Sequence, residues 1–179
     1  MRRLVELGFV HRETPFGAAE RDAKRSRYRI ADPFLRFWFR FIEPRRSVID
    51  ARQTSAIEQD YKSFLPGHLA EVWEDLARDS VARLKIAGKA WRPASRWWGP
   101  GVDKRPIELD IVAESVDGSA LLVGEAKLRI GARHWATVIA DLRSRIERFP
   151  RQGESRVVPC VGYGEGPRPP AGIAAVSAS

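Results

Sequence analysis

Residues 107–127 read IELDIVAESVDGSALLVGEAK. Two apolar runs of strand length flank the turn pair Asp117-Gly118, which predicts a β-hairpin. Asp110 lies in the first run, and the second closes on Glu125-Ala126-Lys127. Side chains two apart on a strand share a face, so Glu125 and Lys127 point the same way. The same alternation turns Asp110 away from Leu109 and Ile111, towards Glu108 and Val112, which makes Glu108 a reserve ligand. If the two strands are neighbours, Asp110 reaches the Glu-x-Lys pair from the side. Two carboxylates and an ammonium on a sheet edge suit a hard divalent cation, Mg²⁺ or Mn²⁺, with a lysine beside an attacking water.

Beyond Lys127, residues 134–149 predict an amphipathic helix. Trp135, Val138, Ile139, Leu142, Ile146 and Phe149 recur at threes and fours. Arg143, Arg145 and Arg148 follow along it, where positive charge suits the helix C-terminal half. Arg129, Arg133 and His134 fall near the end of the Glu-x-Lys strand, with His134 a candidate donor to substrate or to a ligating carboxylate. Residues 156–163, RVVPCVGY, predict a strand whose Pro159 suits an edge or irregular position. The remainder is Gly/Pro/Ala-rich, with a short strand at 172–176.

Before the hairpin, residues 96–98 predict a strand and residues 99–106 a loop. Arg92, Arg96, Lys104 and Arg105 lie near the carboxylates and are candidates for phosphate contact. Residues 68–84 predict a helix with Leu69, Val72, Trp73, Leu76 and Ser80 on its apolar side and Glu71, Asp75 and Arg78 outward. Glu74 sits at the stripe margin, a third carboxylate within reach of the site. Pro66-Gly67 predicts a chain break. Asp32 and Pro33 predict the start of an aromatic helix that ends at Pro44, with Arg36 and Arg40 on one side. The first 30 residues predict a helix end closed by Gly8, a strand, a basic tip and a second strand. That is the layout of the last helix and wing of a winged helix-turn-helix, with Arg21, Lys24, Arg25 and Arg27 at the tip.

The chain has 179 residues and a formal net charge of +8, with the basic excess spread along its length. This favours an anionic partner such as DNA. A single cysteine excludes an intrachain disulfide. No Cys/His cluster suggests zinc, and neither a glycine-rich nucleotide loop nor an 18-residue apolar run occurs. No membrane association and a cytoplasmic location are the expectations.

The predicted order of helix, three strands, helix, strand, with Asp110, Glu125 and Lys127 on its central strands, resembles the PD-(D/E)XK nuclease superfamily. The proline before the first acidic residue is absent here, where Leu109 precedes Asp110. The segments YRIADPFLRFWFRFIEPRRS, HLAEVWEDLA, RWWG, IELDIVAE and LLVGEAK further resemble the C-terminal module of archaeal and bacterial P-loop, AAA-type ATPases, a domain of unknown function assigned to that superfamily. There it follows an ATPase domain and a winged helix. The resemblance covers roughly residues 1–165.

It implies an α/β fold with a restriction-endonuclease-like core at 67–165. A partial winged helix and aromatic helix would occupy 1–44, a helical linker 45–66 and a tail 166–179. Most of the winged helix and the ATPase are absent, as in a fragment or a stand-alone remnant. The implied activity is Mg²⁺-dependent DNA cleavage. Asp110, Glu125 and the Ala126 carbonyl would hold the ion, Lys127 would position or deprotonate water, and Glu74 would orient water or hold a second ion. Two other readings stand beside it. One is a catalytically inactive DNA-binding or regulatory module. The other is an interaction module packed on an ATPase.

Overall fold

The computed structural model describes residues 1–19, 24–150 and 155–176. The chain forms two compact units, residues 1–13 with 23–72, and residues 14–22 with 73–179.

In the first unit, helix α1 (Arg2–Glu6) closes at Gly8, whose φ of 74° is the left-handed conformation that favours glycine. Strands β1 (Val10–Glu13) and β2 (Arg27–Ile30) pair antiparallel, Val10 opposite Ile30. Arg21 lies outside the described residues. Asp32 caps α2 (Pro33–Phe37) by accepting from the Phe34 and Leu35 amides at 2.6 and 3.1 Å. The helix then widens into a π-helical turn, Trp38–Ile42, and tightens through a 3₁₀ turn, Glu43–Arg45, before α3 (Arg46–Asp50). Arg36 is buried, whereas Arg40 is exposed and pairs with Glu71 at 2.8 Å.

Helix α4 (Thr54–Val81) runs through Pro66 and Gly67, where the sequence predicts a break. Proline forfeits one backbone hydrogen bond. Ring contacts on either side of it hold the helix: Phe64 and His68 both meet Phe37, with centroids 6.0 and 5.8 Å away. Phe41 and Tyr61 complete this aromatic core.

The second unit is a mixed sheet in the order β3-β4-β5-β6-β7. Its strands are β3 (Ser95–Pro100), β4 (Pro106–Glu114), β5 (Ala120–Arg129), β6 (Arg156–Glu165) and β7 (Ala174–Val176). The first three run antiparallel, and β6 and β7 add in parallel. The parallel step from β5 to β6 is bridged by helix α5 (Trp135–Arg148). β7 extends the sheet into the stretch read as a tail. Its ladder begins at Cys160, so Pro159 lies where that side of β6 has no partner strand, which suits a residue lacking an N–H.

Alternation along β5 sorts the sheet into two cores. Leu122 and Ala126 pack with Trp73, Ala77 and Val81 of α4. Val123 on the other face packs with Val161 and with Trp135, Leu142 and Phe149 around α5. The predicted α4 stripe is rotated. Leu69 and Leu76 are exposed, and Ala77 and Val81 are fully buried in their place. Small residues set this approach: a Cβ on Gly162 would come within 2.9 Å of Ala77 Cβ, and Trp73 Nε1 donates to the Gly162 carbonyl at 3.2 Å.

Between β4 and β5 the turn forms where predicted. Asp117 accepts from the Ser119 amide at 3.0 Å, from the Ser115 and Ser119 hydroxyls, and from Lys89. These donors, Lys89 foremost, hold its carboxyl well below the usual range.

Gly124 and Gly67 should respond oppositely to alanine. A Cβ on Gly124 would land on the Cys160 carbonyl oxygen and thiol, and a strand carbonyl cannot yield. Gly124→Ala should lower unfolding free energy by about 3 kcal/mol. A Cβ on Gly67 meets nothing within 4 Å, so Gly67→Ala in mid-helix should raise it by about 0.5–1 kcal/mol. Urea unfolding of the two variants reads both signs.

The loop before β4 supplies a pH dependence. Asp103 accepts from Arg148 at 2.8 Å, and this bond holds its carboxyl below the ordinary value. A depressed folded-state pKa stabilises above the unfolded value of about 3.9 and is lost as pH falls through the lower folded value. In acid titrations of thermal stability, Asp103→Asn should therefore flatten the decline below about pH 4.

Candidate functional site

The site is built around an irregularity in β4. Its register to β3 runs Ser95 opposite Val112, then Trp97 opposite Leu109. One extra β4 residue is accommodated there, so Asp110 and Ile111 together oppose Arg96, as a β-bulge. The bulge resets the alternation. Ile107, Leu109 and Val112 fall in the α5-side core, and Ile111 and Ala113 in the α4-side core. Glu108, Asp110 and Val112 therefore do not form one face, as regular alternation predicts.

The β4–β5 ladder reaches Ile111 opposite Gly124. One residue further, the Asp110 side chain takes over, its Oδ2 accepting from the Ala126 amide at 3.0 Å. Asp110 is thereby fixed against the peptide that links Glu125 to Ala126. From α4, Arg78 donates to the Asp110 carbonyl at 3.1 Å and pairs with Asp75. Arg78 is buried, not outward.

Glu125 shares the α5 face with Val123 and is 1% exposed. Lys127 Nζ lies 3.2 Å from its Oε2, with the lysine side chain partly open to solvent. Arg145 Nη1 of α5 contacts Oε1. That contact lacks hydrogen-bond geometry, and Oε1 is a buried acceptor without a hydrogen-bond partner among the described residues. Such an oxygen fits a cation ligand. Arg145 is the participant that the sequence reading did not assign to the site. Its spacing of three from Leu142 and four from Phe149 puts it at the margin of the buried stripe of α5, and that signal was available.

Asp110, Glu125 and Lys127 are thus brought to neighbouring positions on β4 and β5. Glu74 forms an ion pair with Arg96, the β3 residue opposite Asp110 and Ile111. Among the described residues no three His, Cys, Asp or Glu side chains converge to hold a metal ion. Of the basic candidates, Arg92 lies 3.5 Å from Glu114 and Arg129 2.8 Å from Glu165. Lys104 and Arg105 are exposed in the loop before β4, and Arg133 and His134 at the 3₁₀ turn before α5. Arg25 and Arg27 are exposed on the β1–β2 hairpin of the first unit. No helix among the described residues is long and apolar enough to cross a membrane.

These features define a mixed α/β protein with a carboxylate–lysine corner on its central strands. Residues 38–139 match DUF234, described as archaeal and bacterial proteins of unknown function, and the chain belongs to that family. An uncharacterized protein of Methanocaldococcus jannaschii is 29% identical over 132 residues, covering 71% of this chain. The chain spans 28% of that relative's length. No solved structure matches.

Removing Arg78 should unsettle the bulge. Arg78→Met keeps the stem but leaves the Asp110 carbonyl and the Asp75 carboxylate without this donor, at a cost of about 2 kcal/mol. Because both contacts run through one guanidinium, Asp75→Ala should add less in the double variant than alone. A double-mutant cycle by chemical denaturation measures that coupling.

Proposed function

We propose that the Asp110–Glu125–Lys127 corner is a divalent-cation site for phosphodiester hydrolysis in DNA, on a fold of the PD-(D/E)XK type. The observation that carries this reading is the buried Glu125 Oε1, which accepts no hydrogen bond, on the strand beside Asp110. Asp110 and Glu125 would hold Mg²⁺ or Mn²⁺. The ion would supply Lewis acidity towards a phosphate oxygen and a more acidic water. Lys127 combines a partly open side chain with a fixed position beside Glu125, so its ammonium would steady charge developing on the phosphate or orient the nucleophile. Glu74 would join only after leaving Arg96.

Lys104, Arg105 and Arg133 would contact the DNA backbone, since phosphate contacts need charge more than fixed geometry. In the first unit, α1 and the β1–β2 hairpin are consistent with the last helix and wing of a winged helix, with Arg25 and Arg27 towards phosphate.

One observation favours a second reading, a DNA-binding or regulatory module acting with a P-loop ATPase. Both Glu125 oxygens face cations of the chain itself, Lys127 and Arg145. A carboxylate so neutralised can be retained for charge pairing alone.

Cleavage of mixed single- and double-stranded DNA with Mg²⁺ or Mn²⁺ separates the two. The hydrolase reading expects metal-dependent cutting that falls by about 10²-fold or more in both Asp110→Ala and Lys127→Ala. Absence of cutting, with DNA binding equal in wild type and Asp110→Ala, would sink it in favour of the binding module.

A further inference from the structure

Glu125 is a fully buried carboxylate between two cations that differ in kind. Lys127 belongs to the same strand, two residues on, and addresses Oε2. Arg145 arrives from α5 and lies against Oε1, its side chain 35% exposed. Its Nη1 also lies 3.5 Å from the Glu108 carbonyl, at the limit of a hydrogen bond. The Arg145 guanidinium is thus the immediate positive neighbour of Oε1, as Lys127 is of Oε2. A counter-charge of this kind, partly open to solvent, occupies the position that another cation would take.

We propose that Arg145 is the resident counter-ion of Glu125, standing where a divalent cation would bind and setting the affinity for it. The proposal rests on the cation-site reading above. Oε1 cannot serve the guanidinium and a divalent ion together, because the two positive charges would repel strongly in so buried a place. Loading therefore requires Arg145 to withdraw, and its partial exposure and place towards the C-terminal half of α5 give it solvent to withdraw into. Lys127 is not the displaced group, since it addresses the other oxygen. Asp110, whose Oδ2 takes the Ala126 amide beside Glu125, is acidic and favours the incoming ion.

Mn²⁺ titration of the full chain, followed by electron paramagnetic resonance and by calorimetry, tests this without any activity. Arg145→Ala should bind Mn²⁺ about tenfold more tightly than wild type or better. Arg145→Lys, which keeps the charge, should stay within a few-fold of wild type, and Glu125→Gln should lose binding. The Mn²⁺-induced rise in unfolding midpoint should be larger for Arg145→Ala than for wild type. Arg145→Gln, which removes charge but retains bulk, substitutes if the alanine variant does not fold. Mn²⁺ binding by Arg145→Ala where wild type binds none would also support the proposal. Equal or weaker binding in a folded Arg145→Ala overturns the counter-ion role and leaves the cation site standing. No binding by wild type or any variant overturns both.

Discussion

A carboxylate buried at the centre of a sheet constrains everything near it. An ionised group that has lost its water must recover the solvation from fixed charges or dipoles, or not be ionised. For Glu125 the compensation comes from Lys127 on its own strand and Arg145 on α5. That places a requirement on the helix, which must bring its buried stripe over β5 in the register that puts position 145 above position 125. Leu142 and Phe149, three before and four after, are in the core that fixes this register. On the far side of β5, Gly124 lies so close to Cys160 that no side chain fits. Burial of the Cys160 thiol, which raises its pKa, belongs to the same tight spot.

Much of the second unit was legible because its elements obey simple periods. The Asp117-Gly118 hairpin, the Trp135–Arg148 helix with its stripe and the order of the elements from α4 to β6 follow from local chemistry. Asp32 as a cap was equally plain. What failed did so for identifiable reasons. The break at Pro66-Gly67 was a local rule overridden by tertiary ring contacts of Phe64 and His68. The α4 stripe was displaced because hydrophobicity alone favoured Leu69 and Leu76, whereas the close approach of the sheet at Gly162 suits a small residue, Ala77.

The carboxylate corner was legible in part. Neighbouring strands and the Glu-x-Lys spacing were enough to bring Asp110, Glu125 and Lys127 together. The bulge was not legible, because an extra residue in one strand is defined only against its partner, and nothing in IELDIV marks it. Parity was therefore carried one residue too far, and Val112 was assigned to the wrong face. The engagement of Glu74 with Arg96 was hidden for a similar reason: it depends on which β3 residue stands opposite the bulge.

The bulge also explains why charged residues gather on both faces of this sheet. A strand that gains a residue breaks its ladder, and the freed backbone groups need other partners. Here the Asp110 carbonyl is taken by Arg78, its carboxylate takes the Ala126 amide, and Arg96 opposite is held by Glu74. Arg78 in turn is held by Asp75. An irregular segment is thereby made rigid by ionic contacts on the α4 side, while on the α5 side the paired cations Lys127 and Arg145 hold Glu125.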